Sequence, residues 1–143
     1  MEDGSWHWVG AHQFRLEERD ILHFRIDGDV SGPELEHVVR AGEAIATQVG
    51  RQFWLLDVAR LGSADRDARR FVADFGVKPW FAGTVVYNAS FLQRAVVRMA
   101  VTAGKLLARI DTPLHFFSTE KEARGWIEAE RRRLGPLANP AAP

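Results

Sequence analysis

Phe53-Trp54-Leu55-Leu56-Asp57-Val58 is a short, mostly apolar run in the middle of the sequence, with polar and charged residues on both sides. A run of this length and composition is typical of a strand that is buried on both faces of a sheet. We therefore predict that Phe53–Val58 is a central strand. Residues that follow such a strand lie along the rim of the sheet, where open α/β folds collect ligand-contacting side chains.

The residues before this run predict a hairpin and a helix. Trp8–Leu16 and Ile21–Ile26 show the two-residue apolar alternation of strands, and the short polar turn between them indicates an antiparallel pair. Ser31 and Glu34 form a capping-box pattern at a helix start. We expect this helix to end near residue 49, because Gly50 tolerates the left-handed conformation.

The residues after the central strand alternate helices with strands. Three polar side chains are interpreted as helix caps: Ser63 for a helix over about 64–75, Ser90 for a long helix over about 91–109, and Thr119 for a helix reaching about 134. Thr84–Tyr87 and Leu114–Phe117 are predicted to be short strands.

This order predicts an α/β fold with a single mixed, mainly parallel sheet of about five strands and about four helices. Residues 1–136 show no repeat and no second apolar pattern, so we assign them to one domain. Residues 137–143 are rich in proline and alanine and are predicted to form a flexible C-terminal tail.

The composition excludes several function classes. The chain has 143 residues and no cysteine, which excludes disulfides, thiolate metal sites and a cysteine nucleophile. Its formal net charge is zero, which removes the simplest argument for nucleic-acid binding. The acidic start lacks the apolar run of a signal peptide, and no segment approaches the ~18 apolar residues of a membrane span. We expect a cytoplasmic protein with no nucleic-acid partner and no transmembrane segment.

Polar residues at the ends of the predicted strands are candidate contacts for a ligand or partner. Asp57 ends the central strand, where it contacts a ligand, caps a loop or pairs with Arg60. Asn88 and Ser90 flank a helix N-terminus, a position that suits a bound anion and equally suits a plain cap.

Three further candidates lie near these strands. Ser63 and Asp65 follow the central strand, and a carboxylate there is also explained as a charge in the first turn of a helix. Trp80 precedes a strand and suits a pocket wall or an interface anchor, with a core position as the alternative. The five histidines lack metal-site spacing, and no cofactor or catalytic motif occurs, so we expect no metal, no cofactor and no catalytic residue.

The long predicted helix has three faces. Its basic stripe consists of Arg94, Arg98, Lys105 and Arg109. The face opposite is predicted to be core and consists of Leu92, Ala95, Met99, Ala103, Leu106 and Ile110. The third face, Val97, Val101 and Ala108, lies outside that core arc. Together with Arg94, Arg98 and Lys105, this face is predicted to bind a protein partner, a second copy in a homodimer or an acidic lipid surface, a solvated face being the alternative.

Three stretches carry a resemblance to a known family: Ile21-Leu22-His23-Phe24-Arg25-Ile26-Asp27-Gly28, Phe53–Val58, and Phe116-Phe117-Ser118-Thr119-Glu120-Lys121-Glu122-Ala123-Arg124-Gly125-Trp126-Ile127. In this order they resemble the STAS superfamily, particularly its SpoIIAA-like (STAS/SEC14-like) group, over about residues 8–134. The resemblance implies a SpoIIAA-like fold. The SEC14-like label implies a small apolar or lipid ligand.

The regulatory members of this family imply a phosphorylation switch. In them a serine in an Asp-Ser-Ser-Gly loop after the third strand is phosphorylated and read by a partner kinase or anti-sigma factor. The comparable stretch here is Ala64-Asp65-Arg66-Asp67-Ala68, which keeps the aspartate and replaces both serines. The switch is therefore not carried over to that position, although Ser63 lies beside it.

Two functions remain. The first is a non-catalytic STAS-like regulatory or protein-interaction module, as in bacterial signalling, that binds a protein partner or itself. The alternative is a carrier for a small apolar ligand or lipid, with a pocket near Asp57, Trp80 and Asn88. We do not expect an enzyme, because the sequence contains no recognisable pair of a nucleophile and a general base.

Overall fold

The computed structural model describes residues 4–75, 78–108 and 113–137, and the side chains of residue 75 and of residues 103–108 are outside that description. The elements, in chain order, are β1 (His7–Val9), β2 (His12–Glu17), β3 (Ile21–Val30), α1 (Gly32–Val49), β4 (Gln52–Ala64), α2 (Arg66–Phe75), β5 (Phe81–Tyr87), α3 (Phe91–Ala108), β6 (Leu114–Phe117) and α4 (Glu120–Leu134). The strands form one sheet in the order β1-β2-β3-β4-β5-β6. β1 to β3 are antiparallel, and β3 to β6 are parallel.

The predicted central strand is confirmed. β4 pairs in parallel with β3 on one side and with β5 on the other. Phe53 and Leu55 are fully buried against the last helix, in a cluster with Ile127 of α4. Trp54 and Val58 point to the opposite face, in the larger core that α1, α2 and α3 cover. The alternation of side chains along one strand therefore serves two cores.

Both ends of α1 follow the predicted chemistry. The Ser31 hydroxyl accepts a hydrogen bond from the Glu34 N–H at 3.2 Å, and the Ser31 N–H donates to the Glu34 carboxylate at 3.0 Å. Gly50 ends the helix with φ of 86°, a left-handed conformation that favours glycine. The Thr119 cap of α4 is likewise confirmed.

The structure corrects the start of the sheet. The predicted single strand Trp8–Leu16 is two strands, because Gly10 has φ of 59° and reverses the chain so that Trp8 lies opposite Gln13. The sheet therefore has six strands, one more than expected, while the four helices and the mixed, mainly parallel arrangement are confirmed.

The prediction that Ser63 caps α2 is wrong. The chain stays extended through Ala64, because the Asp29 carboxylate accepts hydrogen bonds from the Ser63 N–H at 2.9 Å and from its hydroxyl at 3.0 Å. A side chain on Gly62 would strike that carboxylate, since an added Cβ would lie 2.3 Å from its oxygen. Asp65 caps α2 instead, with its carboxylate accepting from the Ala68 N–H at 2.8 Å.

The predicted core face of α3 is also wrong. Leu92 and Met99 are 74% and 54% exposed, whereas Val97 is 8% exposed and packs on the sheet. The helix is apolar over most of its circumference, so its sequence alone favours no single inward face. Ala103 and Leu106 belong to the same predicted face, but their side chains lie outside the described residues, and so does Ile110.

Matched leucine truncations test this assignment of faces. Leu55→Ala removes a fully buried side chain from the α4 side of the sheet and is expected to lower the free energy of unfolding by about 2–5 kcal/mol. Leu92→Ala removes a largely exposed side chain from α3 and is expected to change it by less than about 0.5 kcal/mol. Urea unfolding monitored by tryptophan fluorescence measures both, and comparable losses would contradict the assignment.

Candidate functional site

An apolar cavity of about 120 Å³ lies between the sheet and the helices α1 to α3. Side chains of the four parallel strands form its floor, and α1, α2 and α3 supply its walls. The lining includes Phe24, Trp54, Leu56, Phe71, Val97 and Val101. Thr84 and the Trp54 indole bring the only polar side-chain groups among the lining residues, and the indole N–H already donates to Gln52 at 3.0 Å. The cavity therefore offers van der Waals contact and almost no hydrogen bonding.

Small side chains explain why space remains there. Ala68 of α2 and Ala100 of α3 both line the cavity, and each contributes only a methyl group at a point where the helices face the sheet. α2 and α3 pack against each other above the sheet. We expect a larger residue at either alanine to reduce the volume of the cavity.

Asp57 and Asn88 come together where β4 stops pairing with β5. Asp57 lies opposite Tyr87, the last residue of β5, whereas β4 itself continues along β3 to Ala64, so the prediction that Asp57 ends the central strand is wrong. The Asp57 carboxylate accepts from the Ala59 N–H at 3.2 Å and from the Asn88 amide at 3.4 Å. Asn88 has φ of 63°, a left-handed conformation that asparagine tolerates better than most residues. Arg60 pairs with Asp27 rather than with Asp57. These polar groups are held at the rim and do not line the cavity.

Ser90 is the cap of α3, and sequence reasoning missed the residue that works with it. The Ser90 N–H donates to the Gln93 side chain at 2.8 Å, and the Ser90 hydroxyl accepts from the Gln93 N–H at 3.3 Å. The Gln93 amide also donates to the carbonyl oxygens of Ala59 and Leu61. A serine followed three residues later by glutamine is a capping-box signal that the sequence contained.

Trp80 does not join the rim. It is 8% exposed and belongs to the core, at the amino end of β5, where its carbonyl oxygen accepts from the Gln52 N–H at 2.8 Å. The seven residues of β5 separate it from Asn88, and eight residue steps along a strand span about 26 Å. The predicted pocket formed by Asp57, Trp80 and Asn88 is therefore wrong, because two of its members lie at one end of the sheet and the third at the other.

The predicted interaction face of α3 is divided by the structure. Val97 and Val101 face inward and line the cavity. Arg94 and Arg98 lie on the outer side, with their guanidinium groups over the Phe116 ring at 5.4 and 4.9 Å from its centroid. Lys105 belongs to α3, but its side chain is outside the described residues, and Arg109 is outside them altogether.

Comparison with known proteins identifies the architecture. No protein-family model and no curated protein matches the sequence. An uncharacterised DUF3478-family protein from Shewanella loihica PV-4, described as SpoIIAA-like in fold, matches with a TM-score of 0.58 and 17% identity over 88% of this chain and 98% of that one. The anti-sigma factor antagonist SpoIIAA, in its unphosphorylated form, matches with a TM-score of 0.55 and 19% identity over 82% and 98%. The chain has a SpoIIAA-like fold.

At 17% and 19% identity the likeness concerns the fold alone. It confirms the SpoIIAA-like fold that the sequence resemblance implied. Within this SpoIIAA-like fold, the stretch compared above with the phosphorylated loop is the junction of β4 and α2. Asp65 is the α2 cap there, and Ser63 binds Asp29. Both side chains therefore have a structural partner in the unmodified chain.

The other face of the SpoIIAA-like sheet holds a buried polar network that the sequence did not predict. His23 is fully buried, its Nδ1 donates to the Glu17 carboxylate at 2.8 Å, and its Nε2 lies 2.7 Å from the Tyr87 hydroxyl. Arg124 donates to Glu17 at 2.7 Å, as Arg15 does. No local pattern signals this cluster, because its members come from β2, β3, β5 and α4.

The pKa values explain what this network does. Burial works against ionisation of Glu17, but hydrogen bonds from His23, Arg124 and Arg15 outweigh it and hold the pKa of that carboxyl well below its usual range. Burial, followed by the nearby carboxylates of Asp57 and Glu120, raises the pKa of the Tyr87 hydroxyl. This shift favours the protonated, hydrogen-bonding form of Tyr87. We interpret the network as a structural clamp between the sheet and α4.

Two further observations concern metal ions and membrane-spanning helices. Within residues 4–75, 78–108 and 113–137, histidine, aspartate and glutamate side chains form no group of three that would hold a metal ion. Of the helices in the same ranges, none combines the length and apolar character needed to cross a bilayer.

The clamp predicts a pH dependence of stability. The pKa of Glu17 is lowered on folding from an ordinary value of 4.5, so the unfolded chain binds the extra proton, and the stabilisation by Glu17 is lost as the pH falls below about 4.5. Glu17→Gln is expected to lower the free energy of unfolding at pH 7 and to flatten its fall between about pH 5 and pH 2.5. Urea unfolding across this range measures the effect.

Glu36→Gln is the matched control, because Glu36 pairs with Arg40 on the exposed side of α1. It should leave the pH profile almost unchanged. A Glu17→Gln profile that runs parallel to that of the unchanged protein would show that Glu17 does not carry the dependence.

Proposed function

We propose that this chain is a non-catalytic binding module that holds a small, uncharged apolar molecule in the cavity between the sheet and helices α1 to α3. The observation that carries the proposal is the lining of that cavity, which is apolar except for the Thr84 hydroxyl and the already bonded Trp54 indole. Enclosed cavities with such apolar linings take apolar guests, and this lining offers the same contacts although the cavity is partly open. We also propose that the chain is located in the cytoplasm and binds no cofactor.

The size of the cavity indicates the size of the guest. About 120 Å³ is somewhat smaller than the engineered cavity of about 150 Å³ that binds benzene in another protein. A single ring or a short branched chain therefore fits without displacing the helices. A charged group inside would have no partner in the lining, so any polar part of a natural ligand is expected to stay outside the cavity.

The proposed ligand site differs from the one that the sequence indicated. Specificity here depends on the shape formed by Phe24, Phe71 and Val97 rather than on the polar rim. Asp57 and Asn88 lie outside the lining. Asp57 follows Phe53 and Leu55 on the α4 face of the sheet, away from the cavity, so it is not expected to contact a ligand there. The apolar lining of the cavity therefore supports the carrier for a small apolar ligand, which was the alternative function predicted from the sequence.

Benzene tests the cavity directly. We expect saturable shifts in the methyl NMR signals of Leu56, Val97 and Val101 on addition of benzene, together with an increase in thermal stability from binding to the folded state alone. Ala100→Phe fills the cavity with a ring and is expected to abolish the shifts. Val101→Met is the milder filling variant if Ala100→Phe does not fold.

Ala95→Phe is the matched control, because Ala95 lies on the same helix but is exposed. It should bind benzene as the unchanged protein does. Shifts spread over the surface, no saturation, or equal loss in the Ala95 and Ala100 variants would each refute a ligand site in this cavity.

A protein-interaction or regulatory module is the second candidate function, and the rim residues Asp57, Ser63, Asp65, Asn88 and Ser90 stay candidates for its contacts. Two observations support it. One of the matched structures is that of an anti-sigma factor antagonist, a name that refers to action on another protein. The first turns of α3, next to the rim, expose large apolar side chains, with Phe91 84% and Leu92 74% exposed.

A further inference from the structure

The outer side of α3 is apolar and uncovered. We call Phe91, Leu92, Ala95 and Met99 the α3 outer face; all four are exposed, and the exposed fractions of the three large side chains are 84%, 74% and 54%. Trp8 and Leu134 are the only other large apolar side chains exposed to a similar degree in the described part of the chain. Three of these five residues thus lie within nine positions of one helix.

The fold does not need these side chains. α3 already packs through Val97 and Ala100, on the opposite side of the helix. The outer residues recur at positions separated by three, four and seven, which is the spacing of a seam between two helices. Exposed, contiguous apolar residues of this kind are typical of a surface that another molecule covers.

The charge beside this face selects the partner. α3 contains no acidic residue. Arg94 and Arg98 run along one flank of the outer face, where they lie over the Phe116 ring, and neither forms an ion pair with any described carboxylate. On α4, by contrast, Arg124 pairs with both Glu17 and Glu120. Two guanidinium groups that pair with no carboxylate of the described residues, next to an apolar seam, are complementary to an acidic partner.

We propose that the α3 outer face docks an amphipathic helix of another protein, with an apolar stripe that packs on Phe91, Leu92 and Met99 and with carboxylates along one edge that pair with Arg94 and Arg98. This inference rests on the second candidate function, the protein-interaction module, and is independent of ligand binding in the cavity. It names the surface and the chemistry of the partner.

Two other occupants fit less well. A second copy of the chain in an antiparallel helix pair would bring Arg94 and Arg98 against the same arginines, and α3 has no acidic residue to offset the repulsion. A membrane surface attracts basic residues on both flanks of an amphipathic helix, whereas here the arginines lie along one flank only. Basic residues along one flank of an apolar seam suit a partner helix that carries its carboxylates along one edge.

The test uses two synthetic amphipathic peptides of identical leucine stripe, one with glutamates and one with lysines along the flanking edge. Fluorescence anisotropy with the full chain is expected to show binding of the glutamate peptide at least about tenfold tighter than that of the lysine peptide, with the difference shrinking at high salt. Leu92→Ser with Met99→Ser should weaken binding by at least about tenfold. Arg94→Glu with Arg98→Glu should reverse the preference between peptides.

Several results would overturn the proposal. These are equal affinity for the two peptides, no binding of the glutamate peptide, or binding that the α3 variants leave unchanged. Binding to phosphatidylglycerol vesicles in place of the glutamate peptide would indicate a lipid surface. Self-association in sedimentation equilibrium that Leu92→Ser abolishes would indicate a homodimer.

The controls separate this proposal from the others. The α3 surface variants should keep the benzene-induced methyl shifts, which also shows that they fold, and Ala100→Phe should keep peptide binding while it loses benzene. Peptide binding that Asn88→Ala or Ser63→Ala weakens, and that the α3 variants do not, would preserve a protein-interaction function but refute α3 as its surface.

Discussion

The two-sided burial of β4 is the constraint on which the rest of the structure depends. Consecutive side chains of a strand point to opposite faces, so Phe53 and Leu55 require a cover on one side of the sheet while Trp54 and Val58 require one on the other. Parallel neighbours on both sides demand crossover connections, and helices supply both the crossovers and the covers. The three helices α1 to α3 cover one face, and α4 covers the other. The apolar cavity and the polar clamp are consequently separated by the thickness of the sheet.

Local chemistry made much of this fold predictable. The apolar run Phe53–Val58 indicated its own position, and the caps at Ser31 and Thr119 satisfy backbone donors within three residues of themselves. Such signals need no knowledge of distant parts of the chain. Ser63 shows where they fail, because the Asp29 carboxylate, 34 positions away, competes successfully for its donors. The boundary between β1 and β2 was not predicted for a different reason. An apolar alternation continues on both sides of Gly10, and only the reversal of the backbone there ends one strand and begins the next.

The candidate site was less predictable, because its defining property is a volume rather than a side chain. The predicted site consisted of polar residues near strand ends, and two of these, Asp57 and Asn88, do lie together. Ala68 and Ala100 line the cavity, and alanine in a helix carries no signal of the space beside it. The inward face of α3 was predicted wrongly for a related reason. Its valines and its leucine and methionine residues are all apolar, and tertiary packing alone decided that Val97 faces inward and Leu92 outward.

Both faces of α3 carry a cost that folding alone does not explain. An unfilled apolar cavity of about 120 Å³ leaves its lining side chains without van der Waals partners, which costs packing energy. A larger side chain at Ala100 would recover part of it, and a polar residue at Leu92 would remove an exposed apolar patch without disturbing the core. α3 contains neither change. This agrees with the two proposals, in which a small molecule binds on the inner side of the helix and a protein partner binds on its outer side.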